Sequence, residues 1–179
     1  MRRLVPLALV LLLPALALAA AAPIDPSLFD ARGADVRSFT KEVTINAPAA
    51  KVYALWTDSA AWLAMMGDPS RASFDLEIGG RYEWLFDGQI GSNGCQVLSY
   101  IPGRMVSFTW NAPPGQATRE RHTWVVVETD ETAPGVTRLR LTHLGFGQGP
   151  DWDTTFAYFD KAWGRVLPMM KQHLEGATK

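Results

Sequence analysis

Three histidines, one cysteine and seven tryptophans are the residues of this 179-residue chain whose chemistry stands out. His143 is the sharpest polar candidate. It closes the alternating row Leu139, Leu141, His143 and precedes Gly145, Gly147 and Gly149. A neutral imidazole there can hydrogen-bond a ligand or act as a general base. The plainer alternative is a ring satisfied by the backbone. His122 and His173 have no comparable setting, and His173 falls on a solvated part of a terminal helix. Metal chemistry needs clustered ligands. Three scattered histidines without a cysteine pair do not supply them, so neither a metal nor a cofactor is expected. Cys95 admits no intramolecular disulfide and reads as a small buried hydrophobe within a strand. Nucleophilic serine chemistry lacks its G-x-S-x-G elbow. The run Gly145-Phe146-Gly147-Gln148-Gly149-Pro150 lacks the Lys and Ser/Thr of a phosphate loop. Pro150 also removes an N–H donor. That run reads as a flexible strand-to-helix connection.

The aromatic residues fall in rows. Strand parity puts Tyr82, Trp84 and Phe86 on one face, and Val106, Phe108 and Trp110 on another. It likewise groups His122, Trp124 and Val126, and Leu139, Leu141 and His143. Each row must meet either a covering helix, as a solid core, or a ligand. The candidate ligand-binding residues are Trp84, Phe86, Phe108, Trp110, Trp124 and His143, with Phe156 and Phe159 from the last helix. No catalytic residue is assigned. Arg138 and Arg140 alternate with Leu139 and Leu141, as expected of a solvated strand face, and Glu83 opposes Trp84.

These rows need elements to position them. Residues 37–46 alternate Phe39, Val43 and Ile45 with polar partners and predict a first strand. Asn46 and Pro48 open a helix with Ala49, Val52, Tyr53 and Trp56 on one stripe. A second short helix over 59–66 carries Trp62, Leu63, Met65 and Met66 and ends at Gly67-Asp68-Pro69. Strands are then expected over 73–78, 81–86, 95–101, 104–111, 122–129 and 136–144. Turn signals at Gly79-Gly80, Asp87-Gly88, Ser92-Asn93-Gly94, Pro102-Gly103 and Pro134-Gly135 separate them. A long helix over about 152–175, capped by Asp151 or Asp153, presents Phe156, Phe159, Trp163, Val166, Leu167, Met170 and Leu174. Pro168 lies within it; its ring would meet the carbonyl of Gly164, so a kink is expected and not a break. An antiparallel sheet with an apolar face must be covered, and this helix is the available cover.

The composition bounds the function. Hydrophobic residues are 47% and charged residues 20%, as in a folded globular domain. The charge is −1, from 17 basic and 18 acidic residues, which argues against a nucleic-acid partner. Arg2-Arg3, the apolar run Leu4 to Leu18 and the small residues Ala17 to Ala21 have the layout of a secretory signal. The expected organisation is a signal peptide over 1–21, a lead-in segment over 22–36 and one domain over 37–176. Localisation is then periplasmic or secreted, with no stable membrane insertion after cleavage.

Three segments resemble a known superfamily. They are Asn46-Ala47-Pro48-Ala49-Ala50-Lys51-Val52-Tyr53-Ala54-Leu55-Trp56-Thr57-Asp58, Ile78-Gly79-Gly80-Arg81-Tyr82-Glu83-Trp84 and Leu141-Thr142-His143-Leu144-Gly145-Phe146. They are similar to START-like helix-grip (SRPBCC) proteins, most of all the branch of homologues of the heat-shock protein 90 ATPase activator. The resemblance implies an α+β helix-grip fold. In it a curved antiparallel sheet of about six strands wraps a long C-terminal helix, with two short helices after the first strand. It also implies a cavity between sheet and helix. The leading expectation is a non-enzymatic domain holding a small hydrophobic or amphipathic molecule. One alternative is a cyclase-, dehydratase- or hydrolase-like enzyme using His143 in that cavity. The other is a co-chaperone-like interaction protein, whose protein partner the sequence does not name.

Overall fold

The computed structural model describes residues 24–29, 36–67, 72–86, 89–90 and 94–176. The expected signal peptide over 1–21, and the turn residues expected at 68–69, 87–88 and 92–93, lie outside the described residues. A first strand, β1 (Arg37–Ile45), leads into α1 (Ala49–Thr57) and α2 (Ser59–Met66). Next come β2 (Ala72–Phe74), β3 (Tyr82–Phe86), β4 (Gln89–Ile90), β5 (Val97–Ile101), β6 (Met105–Asn111), β7 (His122–Ala133) and β8 (Val136–Phe146). The long helix α3 (Pro150–Gly176) closes the domain. A five-stranded antiparallel sheet runs β1-β8-β7-β6-β5, and a three-stranded one runs β2-β3-β4. Their junction is hydrogen-bonded: Tyr82 N donates to Cys95 O at 2.8 Å and Val97 N to Gly80 O at 2.9 Å. The chain thus has the helix-grip architecture its sequence implies.

Local chemistry explains the boundaries. Pro48 has no side chain able to cap α1, and Glu131 from β7 fills that role by accepting from Ala49 N at 3.1 Å. Asp58 caps α2, its carboxylate accepting from Ala60 N at 2.8 Å, and Gly67 ends it at φ 78°. The strand expected over 73–78 is shorter than its alternation suggested, because the chain leaves the ladder after Phe74. A Cβ on Gly80 would lie 2.2 Å from the carbonyl oxygen of Asp75, so only glycine allows that fold-back. The long helix starts at Pro150, so Asp151 and Asp153 sit in its first turn and not at the cap. There they still favour the positive end of the helix. Pro168 lies inside α3, and the helix continues beyond it to Gly176.

The core forms between the inner face of the large sheet, α1 and α3. Trp56, Tyr82, Phe108, Leu139, Leu141 and Met170 have no measurable exposure. Aromatic stacking organises it: the Tyr82 ring lies 3.8 Å from Phe108 and 4.4 Å from Phe74. The Tyr82 hydroxyl donates to the Trp56 carbonyl at 2.8 Å, which fastens the small sheet to α1. Helix α3 lies along β1. Asp153 pairs with Arg37 at 2.7 Å, Asp160 with Lys41 at 2.6 Å, and Lys171 donates to Thr44 O at 2.6 Å. These are half-exposed or exposed pairs that set orientation more than stability.

Candidate functional site

A cleft of about 370 Å³ opens between α2, the inner face of the sheet and the middle of α3. Helix α2 contributes Trp62, Met65 and Met66. The sheet contributes Trp84 from β3 and Trp110 and Asn111 from β6, with Pro113 beyond. Helix α3 contributes Phe159 and Trp163 at depth, and Tyr158, Arg165 and Met169 near the surface. The last set follows from helical geometry. Tyr158, Ala162, Arg165 and Met169 step by four, three and four residues, so one stripe of α3 faces the opening.

Aromatic rings make most of the wall. Trp62 and Trp84 stack at 3.7 Å with 29° between their planes. Trp84 meets Trp110 at 5.0 Å and Trp163 at 5.6 Å, both nearly edge-on. Rings in this arrangement leave offset faces and edges for a flat molecule to pack against. Met66, Tyr158 and Met169 are three of the five large hydrophobic side chains most exposed among the described residues, at 38%, 39% and 45%. That apolar surface concentrates at the mouth of one cleft, and such a concentration marks a binding surface more often than chance exposure does.

Of the sequence candidates, the structure brings Trp84, Trp110 and Phe159 together on this wall. Phe108 lies behind it, wholly buried beneath Tyr82. Phe156 sits towards the start of α3, packed on Phe39 and Phe146 with the Arg37 guanidinium over its ring. The side chain of Phe86 lies outside the described residues.

The expected face of His122, Trp124 and Val126 is corrected by the strand register. Phe108 pairs with Val125, and Val125 with His143, so Val125 and Val127 carry the inner face of β7. Trp124 therefore projects outward. There it covers Gly145, whose Cβ would come within 2.4 Å of the indole. Phe29 of the lead-in segment packs edge-on against it at 5.6 Å. Phe29 also meets His122 at 6.1 Å, and Arg121 donates to Ser27 O at 3.1 Å. Trp124 is thus an anchor for the lead-in segment and lies on the opposite face from the cleft.

His143 is on the inner face but not on the cleft wall. The Trp163 indole N–H donates to its Nδ1 at 3.0 Å, and its Nε2 meets Thr123 Oγ1 at 2.7 Å. Thr123 in turn donates to Trp110 O at 2.9 Å. The acceptor role of Nδ1 fixes the neutral ring with its proton on Nε2. Burial holds the imidazole pKa well below 6.5. Both nitrogens are occupied and the ring has no exposed surface, so the general-base alternative finds no reach to a substrate here. Cys95 is buried as well, its thiol pushed up to about 12, chiefly by desolvation. Among the described residues no group of three His, Cys, Asp or Glu side chains could hold a metal ion.

Sequence reasoning missed Trp62, Met65, Met66, Asn111, Tyr158, Arg165 and Met169 as site residues. For Trp62, Met65 and Met66 the signal is their spacing, three and four residues apart on one short helix.

A curved sheet gripping one long helix, with a side cleft under a short second helix, defines the helix-grip class. The chain belongs to the family described as Activator of Hsp90 ATPase homolog 1-like protein, whose model matches residues 46–175. Among solved structures it is similar to protein MLL2253 from Mesorhizobium loti. The identity is 21% and the TM-score 0.64, over 80% of this chain and 99% of that one. It is also similar to the Aha1 dimer from Colwellia psychrerythraea, with 21% identity and TM-score 0.59 over 78% and 96%. A third is the HSP90 activator PFC0360w from Plasmodium falciparum, with 18% identity and TM-score 0.58 over 70% and 86%. At these identities the likeness shows the fold. A comparison with curated proteins found no match.

Proposed function

We propose that the chain is a binding domain that holds a small hydrophobic or amphipathic molecule in the cleft between α2, the sheet and α3. The observation that carries this reading is the chemistry of the wall. Four of the seven tryptophans line one opening whose rim exposes Met66, Tyr158 and Met169. The volume, about 370 Å³, is in the range of small-molecule sites, which are mostly apolar with a few polar groups. The buried, doubly bonded His143 gives the enzymatic alternative no support.

Two measurements test the reading. Native mass spectrometry of protein from its own host should reveal a co-purifying small molecule. Titration with apolar ligands should quench or shift the tryptophan fluorescence. If no ligand perturbs the fluorescence and no mass co-purifies, the binding reading is lost.

We also propose that the chain is exported, on the strength of Arg2-Arg3 and the Leu-rich run to Leu18. N-terminal sequencing after cell fractionation should find a product lacking about the first 20 residues outside the cytoplasm. Export and a role on a cytosolic, ATP-driven chaperone exclude each other. A full-length product in the cytoplasm would therefore turn the reading towards a co-chaperone.

A further inference from the structure

We propose that the cleft selects a flat aromatic molecule bearing one anionic group, such as an aromatic carboxylate, with Arg165 as the anion's partner. The proposal rests on the binding reading above and adds to it the shape and sign of the ligand.

Shape follows from the wall. Trp62 and Trp84 form a stacked pair, and the planes of Trp110 and Trp163 stand at 78° and 76° to that of Trp84. A planar ring can lie against a face or between edges and keep its dispersion contacts, whereas a branched aliphatic cannot fill the same slot as closely. The thioethers of Met65, Met66 and Met169 suit this role, because sulfur is polarisable and packs well at ring edges.

Sign follows from charge. Among the described residues lining the cleft, Arg165 is the one charged side chain, and no carboxylate faces it there. Arg37, Arg138 and Arg140 each pair with a carboxylate, but no ion pair or hydrogen bond among the described residues engages Arg165. Lys161, one turn earlier on the same helix, adds a second positive charge nearby. An aromatic wall alone would also suit a quaternary ammonium ion. A guanidinium at the mouth repels that cation and offers a planar fork of donors to a carboxylate, sulfonate or phosphate. The position is favourable too. Arg165 is exposed, so the ligand's charged end stays near water while its ring enters the cleft.

The test uses three probes that share one ring: 2-naphthoate, 2-naphthylmethanol and 2-naphthylmethylammonium. Each is titrated by tryptophan fluorescence into the full chain and into Arg165→Gln and Arg165→Glu. Arg165 is exposed, so both variants should fold, and circular dichroism checks that they do. Naphthoate should bind about five- to ten-fold more tightly than the alcohol, as for one hydrogen-bonded charge pair at a surface. The ammonium should bind most weakly. Added salt should narrow the gap. Arg165→Gln should bring naphthoate and alcohol together, and Arg165→Glu should favour the ammonium. Equal affinity of the wild type for all three probes would overturn the anion preference and leave the binding reading standing. Binding of none of them would overturn the aromatic-anion proposal, and the co-purification experiment above would then decide the binding reading.

Discussion

Trp163 on α3 donates its indole N–H to Nδ1 of His143 on β8 at 3.0 Å, with both side chains buried. This bond joins the covering helix to the sheet through two side chains in the middle of the core. It begins a relay through Thr123 to the Trp110 carbonyl in which each donor finds an acceptor. A buried polar group that is satisfied costs little, and one that loses its partner costs its full desolvation.

Trp163→Phe keeps a ring in the core but leaves Nδ1 of His143 without a donor. The unsatisfied acceptor should cost about 1–3 kcal/mol, and the small void adds to it. Urea unfolding of the two proteins measures the difference. A change below about 0.5 kcal/mol, as for a surface site, would mean that the helix is not secured here.

Stability should also depend on pH through His143. Its native pKa lies well below 6.5 because of burial, so below about pH 6.5 the unfolded chain binds a proton that the native state refuses. The native state therefore loses stability as pH falls, by at most about 1.4 kcal/mol per pH unit for one proton. His143→Gln should remove that part of the slope. Urea midpoints at pH 7.5, 6.5 and 5.5 decide the matter, because the lowered carboxyls of Glu131 and Glu175 stay ionised throughout this window. Parallel pH profiles for the two proteins would contradict the assignment.

The cleft rim and the core should respond differently to truncation. Met169 is 45% exposed, so Met169→Ala should change stability by less than about 0.5 kcal/mol while weakening ligand binding. Phe108 is wholly buried, and Phe108→Ala should cost about 3–5 kcal/mol. Thermal melts beside fluorescence titrations separate the two responses. Similar stability losses at both positions would make the rim part of the core.

Trp124→Ala should leave ligand affinity unchanged and speed proteolysis of the segment around Phe29, since its ring faces away from the cleft. Gly145→Ala should destabilise the fold on two counts, its φ of 95° and the 2.4 Å approach to Trp124. In the double variant the steric part disappears, so the two costs should not add. A ligand-binding defect in Trp124→Ala alone would return this residue to the site.

Cys95 should resist alkylation. Its thiol is buried, with a pKa pushed up to about 12, so almost no thiolate exists near pH 8. Iodoacetamide should modify it in urea and not in the native protein. Rapid modification of the native form would show that this corner of the sheet opens.

Much of the architecture can be read from local pattern. The alternation of Phe39, Val43 and Ile45 marks β1, and the stripe from Phe156 to Leu174 marks α3, because each element buries one face. Parity fails at β7, where Trp124 and Val126 alternate with Val125 and Val127 and both faces look apolar. Only the register from Phe108 through Val125 to His143 chooses between them, and that pairing is long-range. Helix α2 has a similar ambiguity, because Ser59–Met66 has no polar face to show which side meets the cleft. Arg165 was hidden for a different reason. A charged residue on a helix looks solvated until the elements beside it are placed.

The pairing of β1 with β8 bears on the order in which this chain can fold. Thr40 and Thr142 meet at 3.0 Å although 102 residues separate them. During synthesis β1 leaves the ribosome early, but its neighbour β8 and its cover α3 come last. Until then the sheet keeps an open edge, and the part of its apolar face that α3 covers stays wet. Contacts that span so much sequence form slowly, because a large loop must close before they contribute. The β5-β6-β7 meander can assemble locally, but β1 must wait for nearly the whole domain to be translated, leaving its exposed edge open to the wrong partners in the meantime.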